Sequence, residues 1–468
     1  MDRIVDQLTS YADSLTFEKL PFPVIQQAKR LTIDALGCAM GGVDSKPSRI
    51  ARALAMETTG PLRATVLATR QKALPDLAAF ANGTMIRCLD YNDTYINKDT
   101  CHPSDNLAGV LAAAEIAAAD GKDLITGIVL AYEIECRLCD TGSILGKGWD
   151  QGTYGVLSST LGASKVMGLS KQEMAHAFSI ACASNISLVQ SRFGTLSMWK
   201  ACAVPNAARQ AVFAALLAQK GMTGPDPIFE GKWGFFKVVS NEPFELGSFG
   251  GDFAQPFKIM DSRIKPFPTG YYAQTAIEGA IELRRKVKSV EEIEEVTVHT
   301  FDQGAKVMAG DPEKWDPKTR ETADHSIPYV VAVGLTHGNV GLEHFSEEHI
   351  RNPGILSLVK KVKVYPSEEC QKEWPEAILN ILEVKTKRGE KHSIRVFHHK
   401  GHPKNPMSDK EVEQKFRNLS RGVLSSVKVD EILDQIWNLE RVKDLGKFVE
   451  MFAFSKCESE AKISGLYR

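Results

Sequence analysis

The density of small and apolar residues at helical spacing in the first half of the chain most limits its possible folds. Ile4, Leu8, Tyr11 and Leu15 recur at intervals of three or four residues and so form one apolar face. Alanine-rich segments such as 107–119 let helices approach closely. The pattern stays helical to about residue 220, which favours a large bundle whose helices are buried on most sides.

The pattern changes at the proline-containing segment 264–270. The elements predicted beyond it are a helix over 272–287, strands over 296–301 and 361–365, and a hairpin over 378–397 that turns at Arg388-Gly389. Helices return with a capping-box start at Ser408. We therefore expect a mainly α fold with an α+β part: a large all-helical domain of residues 1–263 and 400–468, and a smaller α+β lid domain of residues 264–399.

The composition limits which partners the protein can bind and in which cellular compartment we expect it. The chain of 468 residues carries 57 Lys and Arg against 58 Asp and Glu. Because these charges nearly balance, the protein has no overall positive potential that would attract nucleic acid or an anionic membrane. The sequence starts without the features of a signal peptide, and no apolar run approaches the roughly 20 residues of a membrane helix. The nine cysteines are scattered and odd in number. We expect reduced thiols and a soluble, cytoplasmic protein without nucleic-acid or membrane partners.

The densest cluster of polar residues lies directly before the alanine-rich segment 107–119. Its members are Asp90, Asn92, Asp93, Thr94, His102, Ser104, Asp105 and Asn106. The two kinds of titratable group, carboxyl and imidazole, offer acids and bases of different pKa within a short span. Ser104 or Asp105 is also positioned to cap the following helix, whose free N–H groups form an anion site. The alternative is a capped loop with an Asx turn and a surface histidine.

Basic residues in apolar surroundings form a second group of candidates. Lys200 and Arg209 stand among small and apolar residues, where a cation normally meets an acidic side chain or an anionic ligand. The alternative for this pair is a salt bridge at a helix end. Lys265 stands at the predicted domain junction, a favoured place for ligand clefts, although a lysine beside proline is commonly a surface residue.

A third cluster precedes the apolar run 330–335. His325 and Tyr329 are candidate proton carriers, and Asp324 is placed to orient a neighbour. A polar N-terminus on a buried helix explains the same residues without any chemistry. Cys136 and Cys139 have the spacing of a metal pair, but they fall inside an amphipathic helical pattern, where cysteine is usually a core residue.

Eight segments, in order along nearly the whole chain, closely resemble the MmgE/PrpD family, which includes 2-methylcitrate dehydratases and cis-aconitate decarboxylases. The segments are Leu89-Asp-Tyr-Asn-Asp-Thr94, His102-Pro-Ser-Asp-Asn106, Leu196-Ser-Met-Trp-Lys200, Asn206-Ala-Ala-Arg209, Gly221-Met-Thr-Gly-Pro225, Lys265-Pro-Phe-Pro268, Glu321-Thr-Ala-Asp-His-Ser-Ile-Pro-Tyr329 and Lys400-Gly-His-Pro-Lys-Asn-Pro406. One such segment alone would mean little, whereas eight in order are specific. The resemblance implies a helical domain built from both chain ends, an α+β lid, a site between them and a homodimer.

The resemblance also implies roles for individual residues. The catalytic residues expected from it are His102, Asp90, Tyr329 and Thr94. The expected substrate-binding residues are Arg209, Lys265, Lys200, Asp93, Gln151 and His325. We expect no metal and no other cofactor. Many relatives carry a histidine shortly after a Gly-aromatic pair, where this sequence offers Gln151, and the decarboxylase branch tends to have Lys at the position of Arg209.

The activity implied is that of a metal-independent hydro-lyase that dehydrates 2-methylcitrate or citrate to the cis-aconitate-type product. Such a reaction removes a proton next to a carboxylate and expels a hydroxyl from the adjacent carbon, which calls for a base, an acid and fixed cations. The small tricarboxylate or dicarboxylate would be the partner. The alternatives are a cis-aconitate-type decarboxylase, an isomerase of a related acid, and a non-catalytic carboxylate-binding homologue, to which the change to Gln151 points.

Overall fold

The computed structural model describes residues 2–454. The last part of the predicted helical segment 400–468, from residue 455 onward, lies outside the described residues, as does Met1. Within the described range no helix is both long and apolar enough to cross a membrane.

The N-terminal half is a bundle of helices, as its apolar periodicity predicts. The helices are α1 (Arg3–Ser14), α2 (Phe22–Gly42), α3 (Lys46–Met56), α4 (Pro75–Arg87), α5 (Leu107–Ile116), α6 (Gly121–Thr141), α7 (Gly152–Val166), α8 (Lys171–Ser184), α9 (Ala203–Gln219) and α10 (Phe235–Val238). Two short antiparallel pairs interrupt them: β1 (Ala64–Thr65) with β2 (Lys72–Ala73), and β3 (Tyr95–Ile96) with β4 (Thr100–Cys101). The helix α5 is buried around most of its circumference, which its alanine content permits.

The next part of the chain combines helices with a mixed sheet. Its elements are α11 (Gln274–Arg284), β5 (Ile293–Thr300), α12 (Asp302–Ala309), α13 (Arg320–Ala323), α14 (Ile327–His337), α15 (Glu347–Ile350), α16 (Pro353–Val359), β6 (Val362–Pro366), α17 (Glu368–Glu373), β7 (Asn380–Thr386) and β8 (Lys391–Val396). The strand order is β6-β5-β7-β8, with β5 and β6 parallel and the other pairs antiparallel. The predicted hairpin is confirmed as β7 and β8, with Gly389 at φ +86° in its turn.

The chain then returns to the N-terminal bundle. Helices α18 (Asp409–Ser420), α19 (Ser426–Trp437) and α20 (Leu445–Glu450) follow the sheet, and α18 packs along α2. The capping box predicted at Ser408 is present, because its hydroxyl accepts from the N–H of Glu411 and the Glu411 carboxylate accepts from the N–H of Ser408. The tail therefore packs against the first helices, as the pattern predicted.

The structure has two large hydrophobic cores, which correspond to the all-helical part and the α+β part predicted from the sequence. One is built from α1, α2, α6–α9 and the C-terminal helices, and the other from α11, α14 and the mixed sheet. This arrangement confirms the predicted fold class, mainly α with an α+β part. The residue boundaries proposed for the two domains, 263/264 and 399/400, stay a prediction.

Candidate active site

A cavity that is partly open to solvent lies between loops of the helical part and the segment that begins the α+β part. From the helical side it is lined by Arg87, Asp90, His102, Gln151 and Arg192. From the other side it is lined by Tyr271, Tyr272 and His325. The cavity thus brings together residues that are more than 200 positions apart in the sequence.

Asp90 is the electrostatic centre of this cavity. Its Oδ1 lies 2.7 Å from Arg87 Nη1 and 2.6 Å from Lys265 Nζ. Its Oδ2 lies 3.1 Å from Lys200 Nζ and 3.3 Å from His325 Nδ1. Burial alone raises the pKa of this carboxyl, but the surrounding positive charges, Arg87 foremost, hold it well below its usual range. Asp90 is therefore a permanent anion that organises its neighbours.

His102 is held in one orientation by the loop that carries it. Its Nδ1 lies 2.6 Å from the backbone oxygen of Asp93 and 3.0 Å from Thr94 Oγ1. A backbone carbonyl can only accept, so the ring proton is assigned to Nδ1 and the lone pair to Nε2. Burial, followed by the charge of Arg87, lowers the pKa of His102 well below its usual value. The residue is a neutral imidazole whose free nitrogen can accept a proton.

A second imidazole, His325, reaches the cavity from the opposite side. Its Nδ1 lies 3.0 Å from Asp324 Oδ1 and also faces Asp90. Burial, and next the charge of Lys200, lowers the pKa of His325 to about 4. Lys200 Nζ in turn donates to Asp324 Oδ1 at 2.5 Å. The predicted polar start of α14 is therefore present and also forms a wall of the cavity, while a role of His325 in proton transfer stays a prediction.

The cations that line the cavity are two arginines that the sequence analysis missed. Arg87 ends α4, and its Nε lies 3.5 Å from Asp105 Oδ2. Arg192 forms a two-pronged contact with Asp150, at 2.6 Å from Nε and 3.1 Å from Nη2. Arg87 had a usable signal, since a cation closing an apolar helix three residues before Asp90 needs an acidic partner. Arg192 follows no motif that would single it out.

The two side chains Arg209 and Tyr329, expected at the site, lie elsewhere. Arg209 is 30% exposed on α9, with Nη1 3.7 Å from Asp76 Oδ2. Tyr329 is fully buried in the second core, where its hydroxyl donates to the backbone oxygen of His344. The alternative of a helix-end salt bridge therefore describes Arg209. Both corrections have the same cause: helical phase directs each side chain away from the cavity.

Other expected residues stand behind the cavity wall and support it. Lys265 is fully buried and donates to both the backbone oxygen and the carboxylate of Asp90. Burial lowers the pKa of Lys265 to about 8, with Asp90 opposing that effect. Lys200 is buried between Asp90 and Asp324. Both lysines thus hold carboxylates of the protein, where the sequence analysis expected them to hold the substrate.

The loop before α5 is organised differently from the prediction. Ser104 Oγ and Asp105 Oδ1 both accept from the side-chain amide of Asn92. The prediction that one of them caps α5 is wrong. Instead Asp93 Oδ1 accepts from the N–H of Ser104, and burial raises the Asp93 pKa to about 6. Asp93 and Thr94 therefore position the loop and His102.

Gln151 lies at the start of α7 and lines the cavity, as expected. The amide can donate and accept hydrogen bonds but cannot move a proton at neutral pH. The cysteine pair Cys136 and Cys139 lies in α6 within the core, and burial raises both thiol pKa values to about 12. Both side chains are packed in the first hydrophobic core, which agrees with the core role expected for this pair.

Fold and cavity together define a class: a helical protein with an α+β part and a cavity lined by carboxylate, imidazole and guanidinium groups where they meet. Comparison of the sequence with family models gives the particular family. The MmgE/PrpD N-terminal domain model matches residues 6–246, and the MmgE/PrpD C-terminal domain model matches residues 267–439. The chain belongs to the MmgE/PrpD family.

The names of similar proteins refer to two different activities. The chain is 29% identical to the mitochondrial 2-methylcitrate dehydratase of Yarrowia lipolytica over 83% of this chain and 78% of that protein. It is 28% identical to the 2-methylcitrate dehydratase of Salmonella typhimurium over 78% of this chain and 77% of that protein. It is also 25% identical to the cis-aconitate decarboxylase of Aspergillus terreus, over 96% and 95% of the two chains.

Proposed function

We propose that the protein is a hydro-lyase that dehydrates 2-methylcitrate, or citrate, to the cis-aconitate-type product without a metal. The observation that carries the proposal is the neutral imidazole of His102, its proton assigned to Nδ1, beside two arginines in one cavity. A base with a free lone pair and fixed cations is the equipment that removal of a proton next to a carboxylate requires. The names of the dehydratase relatives support the same reaction.

In the first step His102 Nε2 accepts the proton from the carbon next to a substrate carboxylate. The electron pair left on that carbon spreads into the carboxylate, whose developing charge is stabilised by Arg87, while Arg192 holds a carboxylate of the substrate. The pair then forms the double bond as the carbon–oxygen bond to the hydroxyl breaks. The role of Asp90 in this step is to hold Arg87 and His325 in place.

The departing hydroxyl needs a proton, and His325 is the group we assign to supply it. In the empty cavity the pKa of His325 is about 4, because the ring is buried near Lys200. A substrate with two or three carboxylates adds negative charge beside the ring and raises this pKa. The protonated His325 then gives its proton to the hydroxyl, which leaves as water. His102 and His325 exchange their protons with solvent before the next turnover.

The proposal that no metal takes part rests on the charges around the acidic residues. Asp90, Asp324 and His325 bring potential ligand atoms within 4.8 Å of one another. Lys200 contacts both carboxylates, and Lys265 contacts Asp90. A divalent cation would have to displace these ammonium groups or bear their repulsion at short range. Ammonium and guanidinium groups thus occupy the positions that a metal would need.

Decarboxylation of a cis-aconitate-type acid is a second candidate, favoured by the decarboxylase that matches 96% of this chain. Loss of CO₂ would leave a carbanion that a protonated His102 or His325 could quench. A non-catalytic carboxylate-binding role, suggested by Gln151, is the third. Cytoplasmic location and a homodimer stay predictions from the sequence and its resemblance.

The test uses the purified full chain with 2-methylcitrate, citrate and cis-aconitate in separate assays. We expect an unsaturated product from 2-methylcitrate or citrate, with no release of CO₂. His102→Gln keeps the size and polarity of the side chain but removes the base. It should lower kcat by about 10²–10⁴-fold, the usual contribution of general acid–base catalysis.

Each other outcome rejects part of the proposal. CO₂ released from cis-aconitate would identify the decarboxylase, and saturable binding without turnover would identify the binding protein. Near-wild-type turnover by His102→Gln would remove the assigned base. Activity lost on chelation and restored by a metal would contradict the metal-independent mechanism.

A further inference from the structure

Three histidines meet in the α+β part, away from the cavity. His337 is the last residue of α14, His344 lies in the short turn Leu342–Phe345, and His349 lies in α15. One potential ligand nitrogen from each ring lies within 4.8 Å of the other two. The ring centroids of His337 and His344 are 4.6 Å apart, and that of His349 is 5.4 Å from His344. Three separate elements thus converge on one point.

The local backbone fixes the positions of these three residues along the chain, while their side chains can still rotate. His337 ends its helix against Gly338, which has a φ of +70°. His344 Nδ1 accepts from the N–H of Gly341 at 2.9 Å. The backbone N–H of His349 donates to Ser346 Oγ, which caps α15. The cluster is therefore set by backbone geometry before any ligand arrives.

The surroundings of the cluster favour a cation. The C-terminus of α14 contributes the negative end of a helix dipole at His337. Glu343 Oε1 lies 3.6 Å from His344 Nδ1, and Glu347 and Glu348 begin α15. The positive charges near the group include Arg284, whose Nε donates to the backbone oxygen of Thr336, and Arg351, whose Nη2 lies 2.9 Å from Glu347 Oε1. Glu343 and the end of the helix dipole thus place negative charge beside the three imidazoles.

We infer that His337, His344 and His349 form a binding site for a divalent transition metal, with Zn²⁺ as the best match. Three imidazoles plus a carboxylate or water are a common tetrahedral zinc environment. In a closed tetrahedral site the ligand atoms are about 3.3 Å apart, given zinc–nitrogen bonds of about 2.0 Å. Rotation of the histidine side chains closes the present separations of up to 4.8 Å. Glu343 is the candidate for the fourth ligand or for a partner of His344.

Metal binding requires one change in hydrogen bonding at His344. While Nδ1 accepts from Gly341, a neutral ring carries its proton on Nε2. Coordination through Nε2 moves that proton to Nδ1, where Glu343 can accept it in place of the Gly341 contact. A carboxylate that receives the second N–H of a ligating histidine is the usual outer-shell arrangement.

The site has no part in the proposed dehydration. The helix α14 separates it from the cavity, since His325 precedes the start of α14 and His337 ends it. Eleven helical residues span about 16 Å. A metal at this point would instead link α14 to the turn and to α15, and so stabilise the α+β part.

The probe is Zn²⁺ titrated by calorimetry into the full chain, without a histidine tag and after treatment with a chelator. We expect one tight site per chain, and a d–d absorption spectrum of tetrahedral type when Co²⁺ replaces Zn²⁺. His337→Gln and His349→Gln should each weaken binding by at least about tenfold. Their side chains are at least partly exposed, so both variants are expected to fold. The midpoint of thermal unfolding should rise with Zn²⁺ in the wild type but not in these variants.

His392→Gln is the matched control, because His392 lies on β8 of the same part of the chain, outside the cluster. It should bind Zn²⁺ as the wild type does. Equal binding by the wild type and the His337→Gln/His349→Gln double variant would overturn the inference and assign the signal to adventitious surface binding. So would an equal loss in His392→Gln, or an octahedral Co²⁺ spectrum.

Discussion

Asp90 shows how neighbouring side chains decide what a residue can do. The sequence suggests a carboxyl that shares proton transfer, but Arg87, Lys265 and Lys200 surround this carboxylate and keep it charged. Its backbone has a φ of +49°, a left-handed conformation that is uncommon for a residue other than glycine. Such strain persists only where surrounding contacts over-determine it, and it is typical of functional sites. Asp90 therefore holds its neighbours in place, and we propose that His102 and His325 carry the proton chemistry.

The first prediction at this scale compares two arginines under the same substitution. Arg192→Lys keeps the charge beside Asp150 but loses the two-pronged guanidinium geometry. We expect kcat/KM for the tricarboxylate to fall about tenfold or more, mainly through KM, because a charge-assisted hydrogen bond contributes about 1.5–3 kcal/mol. Arg209→Lys should change kcat/KM by less than about twofold, because Arg209 contacts Asp76 at the surface. Steady-state kinetics measure both values.

If Arg209→Lys lowered kcat/KM more than Arg192→Lys did, Arg209 would again be a candidate ligand of the substrate. It would then reach the substrate either through a rearrangement of α9 on binding or through a partner chain. A fall in kcat alone for Arg192→Lys would assign Arg192 to the transition state instead of substrate holding.

At the scale of elements, the position of the loop that carries Asp90 and His102 depends on how α6 and α7 pack. Asn106, at the end of the loop, donates to Glu135 of α6 at 2.5 Å and accepts from Ser158 of α7 at 2.9 Å. Burial raises the pKa of Glu135 to about 8, so this carboxyl can be neutral at physiological pH. The two helices approach closely because Gly127 and Gly162 face each other across the contact.

The second prediction tests this contact with Gly162→Val. A Cβ at Gly162 would lie 2.8 Å from Val110 Cγ2 and 3.1 Å from the backbone oxygen of Gly127. We expect a lower midpoint of thermal unfolding, corresponding to about 1–3 kcal/mol of overpacking. Gly247→Val is the matched control, since Gly247 is exposed and has open space around it. Equal midpoints for the two variants would mean that the helices can separate without cost.

At the scale of the whole molecule, the C-terminal part of the chain supports the site from behind. Lys415 of α18 pairs with the buried Asp34 of α2 at 2.6 Å. The same ammonium donates to the backbone oxygens of Tyr91 and Lys265, at 2.8 and 2.9 Å. The side chain of Lys415 therefore joins the first helices, the loop that carries Asp90 and His102, and the start of the α+β part.

The third prediction concerns this link. Lys415→Met leaves Asp34 buried without its cation, and we expect a loss of about 3–5 kcal/mol in the free energy of unfolding. Adding Asp34→Asn should recover part of the loss, because the unpaired charge is removed. Arg417→Met on the same helix breaks an exposed pair with Asp430 and should cost less than about 1 kcal/mol. Denaturant unfolding of the wild type and these three variants measures the differences.

Failure of Asp34→Asn to restore any stability would show that the hydrogen bonds to Tyr91 and Lys265 matter more than the ion pair. Equal effects of Lys415→Met and Arg417→Met would remove the proposed role of this link altogether.

The sequence by itself determined the elements and the fold class. Apolar periodicity predicted α1, alanine richness predicted α5, alternation predicted β5, and a glycine turn predicted the hairpin of β7 and β8. These features depend on residues a few positions apart, whose spacing alone decides which face of a helix or strand is apolar. The sequence also identified the loop of Asp90 and His102 as a polar cluster.

Only the tertiary structure decided which polar side chains meet. It brought Arg87 and Arg192 to the cavity, directed Tyr329 and Arg209 away from it, and buried Lys265 behind Asp90. These outcomes depend on helical phase and on contacts between residues far apart in the chain, which no local pattern contains. The pKa of each group depends on the same long-range contacts, because burial and neighbouring charges set it.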